Sequence, residues 1–155
     1  MSSILETPSI HLRSEFLAAV ARSKKLHRRL VSPPATAKAF AESLKRLNSP
    51  TQIGYWVLTE AGELAGVIHI SEIVRCKFCS AYLGYYAFVP HHGRGYMTTG
   101  LREVLSKAFQ KLGLHRLEAN IQPENEASRR LVKSLGFKLE GFSPRYLKVS
   151  GKWRD

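Results

Sequence analysis

Apolar residues recur at Met97, Leu101, Val104, Leu105, Ala108, Phe109 and Leu112. That spacing predicts a helix over 97–112, stopped by Gly113. Two further helices are read over 15–25 and 36–47, separated by Pro33-Pro34. Residues 52–59 are rich in aromatic and β-branched side chains, and 63–73 follow after Ala61-Gly62, which is a hairpin pattern. A third strand covers 81–89 and ends at Pro90. His115, Leu117, Ala119 and Ile121 alternate with Arg116, Glu118 and Asn120, so 115–121 reads as a strand with one apolar and one polar face. Asn125 caps a short helix ending at Leu135, with Gly136 as its stop. Weaker patterns suggest a short opening strand over 10–13 and strand material over 137–149, broken at Ser143-Pro144. The order β-α-α-β-β-β-α-β-α-β predicts a single α/β domain over 1–155. Its sheet would be mixed, mostly antiparallel and twisted, with helices on both faces.

Charge narrows the class of partner. The 155 residues carry 24 Lys plus Arg against 12 Asp plus Glu, a net charge of +12 that favours anionic partners. The longest apolar run near the start, 16–21, has six residues, too few for a membrane span or a signal-peptide core. Two cysteines cannot staple a secreted fold, so a reducing cytoplasm is expected.

The stretch His92-Gly93-Arg94-Gly95-Tyr96-Met97-Thr98 stands between a predicted strand and the best-defined helix. Glycines let backbone approach a ligand closely, and a helix start offers unpaired N–H groups and a positive dipole end. Together these make a pyrophosphate site, to which Arg94 adds a formal charge. The same residues also suit a plain strand-to-helix turn. The loop lacks the Gly-Lys-Ser/Thr ending of a Walker A motif and the third glycine of a dinucleotide fingerprint.

From about residue 82 to 153 the sequence resembles the GNAT superfamily of N-acetyltransferases. It looks most like the branch holding the ribosomal-protein N-terminal acetyltransferases RimJ and RimL. The resemblance rests on Gly84-Tyr85-Tyr86-Ala87-Phe88-Val89, the glycine loop, and Leu114-His115-Arg116-Leu117-Glu118-Ala119-Asn120. Asn125-Glu126-Ala127-Ser128, Leu135-Gly136-Phe137 and Glu140-Gly141 complete it. It implies a GNAT-like fold and acetyl transfer from acetyl-coenzyme A (acetyl-CoA) to a primary amine by direct attack. By this resemblance Gly93, Arg94, Gly95, Tyr96, Met97 and Thr98 hold the pyrophosphate, with His92 beside it, and a 3′-phosphate accounts for one of Arg129, Arg130 and Lys133 on the helix beside it. Ala87, Phe88 and Val89 run along the pantetheine, and a backbone N–H there polarises the thioester carbonyl. Asn125 hydrogen-bonds the pantetheine, Ser128 stabilises or protonates the leaving thiolate, and Glu118 serves as general base.

Three positions depart from the family pattern. Met97 stands where a small residue is usual, no carboxylate lies within 81–89, and Val132 takes the place of an acidic tyrosine. A site without a strong base cluster suits an α-amine. Deprotonating one at pH 7 costs roughly 1 kcal/mol, against roughly 4.6 kcal/mol for a lysine. The expected acceptor is thus a protein N-terminus, such as that of a ribosomal protein, and scarce acidic residues argue against polyamines. The cluster Arg22, Lys24, Lys25, His27, Arg28 and Arg29 suits ribosomal RNA or an acidic partner. Cys76-Lys77-Phe78-Cys79 and His69 read as structural, and no metal site is expected. Relatives continue through a final strand beyond a segment like 151–155; a sheet edge left bare there allows dimerisation or partial disorder, so a monomer or homodimer is expected. The rival reading is a basic nucleic-acid-binding module that grips backbone phosphate.

Overall fold

A computed structural model describes residues 3–155. In chain order the elements are β1 (Ile4–Glu6), α1 (Arg13–Arg22), α2 (Lys24–His27), α3 (Ala37–Leu47), β2 (Asn48–Ser49), β3 (Gln52–Leu58), β4 (Leu64–Val74) and β5 (Ser80–Ala87). There follow α4 (Tyr96–Gln110), β6 (Arg116–Glu118), α5 (Glu126–Ser134), β7 (Leu147–Val149) and β8 (Lys152–Arg154). The main sheet runs β1-β3-β4-β5-β6, with β2 beside β3. Its pairs are antiparallel except β5 with β6, which are parallel. β7 and β8 form a separate hairpin.

Apolar residues on both faces of β3, β4 and β5 make the sheet a shared wall between two cores. Ile68, Ile70 and Leu83 pack with Leu101, Val104 and Ala108 of α4 on one face. Trp56, Val67 and Phe88 pack with Phe16 of α1 and Phe40 of α3 on the other. That second core is aromatic, with Phe16 and Phe40 ring centroids 5.0 Å apart and Phe16 edge-on to Phe88 at 5.7 Å. Two glycines set how closely α4 lies on the sheet. A Cβ on Gly66 would collide with Met97 Sδ and reach the Tyr86 carbonyl oxygen at 2.8 Å. A Cβ on Gly100 would meet Val57 at 2.8 Å. The thioether of Met97 therefore packs into the core over Gly66, and its bulk leaves the glycine loop unobstructed.

Several sequence expectations are corrected. Residues 10–13 are not a strand: Ile10–Leu12 form a 3-10 turn that feeds α1, and the first strand is β1. Ile10 is exposed, so its alternation with polar neighbours marks no buried face. The helix read over 15–25 breaks at Ser23, whose buried hydroxyl accepts a hydrogen bond from the Val89 N–H at 3.0 Å. The predicted 115–121 strand is only β6, because β5 and β6 stop pairing after Tyr82 and Glu118. Within 137–149 only β7 is a strand, and Leu139 and Phe142 stand exposed.

Placing a methyl at Gly66 should cost about 1–3 kcal/mol of stability through overpacking. Denaturant melts of Gly66→Ala should show this loss, and Met97→Ala in the same chain should recover part of it. A neutral Gly66→Ala would contradict close packing of α4 on β4.

Candidate active site

Parallel strands that part company expose backbone, and β5 and β6 do so abruptly. Ser80, Ala81 and Tyr82 pair with Arg116, Leu117 and Glu118, after which residues 83–87 have β4 on one side only. The Phe88 N–H goes to the Ala65 carbonyl oxygen on β4 at 2.8 Å. Alternation along an antiparallel strand then turns the N–H and C=O of Tyr85 and Ala87 into the gap. The gap is bridged on both faces of the sheet. On the α1 and α3 face, His27 Nε2 donates to the Ala87 carbonyl oxygen at 2.8 Å, while Gln122 Nε2 donates to the Arg29 carbonyl oxygen at 3.0 Å. Segment 28–31 is thereby strapped across the gap. On the α4 and α5 face, the Tyr85 hydroxyl donates to the Ser128 carbonyl oxygen at 3.3 Å and closely meets the Ser128 hydroxyl.

The glycine loop lies at the mouth of this gap. Gly93 and Gly95 have φ of +74° and +88°, a region costly for any other residue type except at special turns. They reverse the chain so that Gly95 caps α4. The first intrahelical bond runs from the Thr99 N–H to the Gly95 carbonyl oxygen at 3.1 Å. Among the described residues, no backbone N–H from Gly93 to Thr98 meets an acceptor. A run of unsatisfied donors at the positive end of a 15-residue helix is an anion cradle, and it fits a diphosphate. Arg94 and His92 are exposed beside it. The Tyr96 side chain turns away, its ring edge-on to buried His91 at 5.8 Å and its hydroxyl donating to Glu60 at 3.4 Å. Of the loop's side chains, Arg94, His92 and half-buried Thr98 remain to face a ligand.

At the strand end, Phe88 and Val89 have no free N–H. Phe88 is bonded to Ala65 and Val89 to Ser23, so the expectation of a donor there falls on Ala87 alone. Asn125 Oδ1 accepts from the Ser128 N–H at 3.2 Å, which caps α5 and leaves its amide NH₂ unused. Arg129 donates to the Pro123 carbonyl oxygen at 3.0 Å and so pins the loop before α5. Glu118 accepts from Arg116 Nε at 2.9 Å, and Arg116 also forms a two-pronged pair with Glu140. The Glu140 carboxyl is held below its usual range by that guanidinium.

Sequence reasoning missed Tyr85 as the partner of Ser128, since 43 residues separate them. His69 was read as a packed or edge residue. This residue lies opposite Gly84 in the β4–β5 ladder, where a Cβ would strike its imidazole Nε2. His69 and Tyr86 floor a cavity of about 390 Å³ whose walls are the 31–35 loop and α3. Burial lowers the pKa of His69 and raises those of Tyr85 and Tyr86, so all three are neutral at pH 7. Cys76 and Cys79 lie in the β4–β5 turn, at the far end of β5 from the glycine loop, with Cys79 Sγ against the Cys76 carbonyl oxygen at 2.8 Å.

Residues 4–138 match a family described as "Acetyltransferase (GNAT) domain". The [Ribosomal protein uS5]-alanine N-acetyltransferase of Escherichia coli is 37% identical over 93 residues, 60% of this chain and 48% of that protein. Across the curated relatives it matches, the chain spans between 42% and 66% of their length. Mycobacterium smegmatis RimJ in complex with CoA-disulfide superposes with a TM-score of 0.88 at 24% identity, covering 98% of this chain and 78% of that one. Spermidine N-acetyltransferase from Vibrio cholerae, in complex with CoA and spermine, gives 0.81 at 19% identity over 99% and 91%. These superpositions place the mixed sheet and its helices in the same fold.

His27 and His69 both titrate below 6.5 in the folded chain because burial disfavours the charged ring. The unfolded chain therefore binds more protons as pH falls. Stability should be level above pH 7 and decline from about pH 6.5 downward. Thermal melts across pH 5–8 check this; a melting point that rises on acidification to pH 6 would contradict it.

Proposed function

The chain belongs to the GNAT acetyltransferases, and from that premise we propose that it moves an acetyl group from acetyl-CoA to a primary amine, preferentially the N-terminal α-amine of a protein. The observation that carries this is the row of unengaged N–H groups from Gly93 to Thr98 at the mouth of the β5–β6 gap.

In this reading the cradle and Arg94 hold the pyrophosphate of the acyl donor. Its pantetheine arm enters the gap beside the backbone of Tyr85 and Ala87 and the free amide of Asn125. When bound, acetyl-CoA supplies a thioester whose carbonyl carbon is the electrophile. The Tyr85 N–H faces the gap beside its apex and is placed to polarise that carbonyl, and the Ala87 N–H, further along, is free for the pantetheine arm. Ser128 protonates the departing thiolate and draws a replacement proton from the Tyr85 hydroxyl it touches. That pair stands in for the tyrosine absent at Val132. The amine arrives from the opposite face of the sheet, the side on which Tyr82 and Glu118 lie. Neither thiol lies by the gap, so transfer is direct, without an acyl-enzyme. The free thiols suit a reducing compartment such as the cytoplasm.

A protein acceptor is favoured over a polyamine by charge. Lys24, Lys25, Arg28 and Arg29 are exposed beside the strap, and a chain of net +12 repels a polycation. The same surface suits an acceptor presented on acidic protein or ribosomal RNA. The E. coli relative acts on a ribosomal-protein alanine by its name, which agrees with this preference.

Thermal stabilisation by coenzyme A and not by oligonucleotide supports the enzyme; salt-dependent oligonucleotide binding without coenzyme A binding supports the nucleic-acid module instead. With acetyl-CoA, a panel of N-terminal peptides and spermidine, turnover should be fastest on an α-amine. Turnover confined to spermidine or lysine side chains would overturn the acceptor assignment. Ser128→Ala should lower kcat by about 10²-fold with coenzyme A affinity unchanged. Tyr85→Phe in that background should add little, since the two hydroxyls act as one unit.

A further inference from the structure

We propose that the cavity between α3 and the sheet is the acceptor-amine subsite and that His69 is the base that takes the amine proton. This rests on the acetyl-transfer reading above.

The placement follows from strand register. Gly84 is two residues beyond Tyr82, the last β5 residue paired with β6, so it marks the apex of the gap. His69 sits across from Gly84 on β4, with Nε2 directed over it, and only glycine leaves room for the ring there. Because side chains alternate, His69, Gly84, Tyr82 and Glu118 share the α3 face of the sheet. An amine attacking a thioester at the apex from that face meets the imidazole before it meets Glu118, whose carboxylate is committed to Arg116. The cavity on which His69 opens is large enough for the first one or two residues of an extended peptide. The 31–35 loop, with Pro33 and Pro34, walls it. The loop is anchored through Ser32, whose hydroxyl meets that of Ser150 at 3.0 Å.

The ring is suited to accept a proton. It is neutral at pH 7 through burial, and among the described residues no side chain or backbone group holds either nitrogen. The titratable and charged groups sharing its cavity are Glu42 and Arg46 from α3 and Tyr86 from β5; β3 and the 31–35 loop contribute none. In the step, the amine lone pair forms the C–N bond as the C–S bond breaks. One ammonium proton passes to His69, and the thiolate takes its proton from Ser128. Donor and acceptor proton transfers thus occur on opposite faces of one sheet.

Three readouts test this. With an alanine-initiated peptide, wild-type kcat/KM should fall on the acid side with a slope of two: one ionisation from the peptide amine and one from a group below 6.5. His69→Gln should lose about 10²-fold or more in kcat/KM and retain only the amine's slope, with coenzyme A affinity unchanged by calorimetry. Added imidazole should restore part of the rate. In the wild-type chain with coenzyme A bound, the NMR titration of the His69 ring should match the lower ionisation, which needs no variant. A single-slope wild-type profile, a His69 titration that does not match it, or an active His69→Gln beside a dead Glu118→Gln would overturn the proposal. Failure of the wild type to bind coenzyme A would instead overturn the acetyl-transfer reading beneath it.

Discussion

The parting of β5 from β6 after three paired residues is the constraint on which the site depends. A complete ladder would bury the strand backbone against its neighbour. Here the ladder stops at Tyr82 and Glu118, and the next residues of β5 keep a free edge inside the molecule. Exposed strand edges are normally blunted or covered. This one is covered by side-chain bridges: Tyr85 to Ser128 on one face, and His27 and Gln122 holding the strap on the other. The result is a channel with polar backbone on one wall and a helix N-terminus at its entrance.

The rigidity of that channel comes from close contacts permitted by glycine. Met97 fits over Gly66, Gly100 fits against Val57, and His69 fits over Gly84. The first two fix the start of α4 relative to β4 and β3, which sets where its unsatisfied N–H groups point. The third puts an imidazole at the channel apex. Residues that read singly as permissive or bulky act as matched pairs across adjacent elements.

Much of this was legible in the chain. The 3.6-residue repeat from Met97 and the hairpin around Gly62 located α4, β3 and β4, and the glycine loop was placed at the start of α4, because each is a local pattern. Asn125 was read correctly as a helix cap. What escaped reading depended on distant partners. His69 was read as a packed or edge residue, but the glycine it packs over, Gly84 on the next strand, was not identified. Ser23 broke a helix because Val89, 66 residues away, needed an acceptor. Alternation over 10–13 was too short to outweigh local turn formation, and the segment after α5 lacked a partner strand to hold it extended. Ser128 was read as a candidate, but the Tyr85 hydroxyl that meets it was not.

The most direct test of the channel is backbone amide hydrogen exchange with and without coenzyme A. The account predicts slowed exchange at the amides of residues 93–98 and of Ala87, with Phe88 and Val89, already bonded within the protein, changing little. Protection elsewhere, with the glycine loop and Ala87 unaffected, would contradict it.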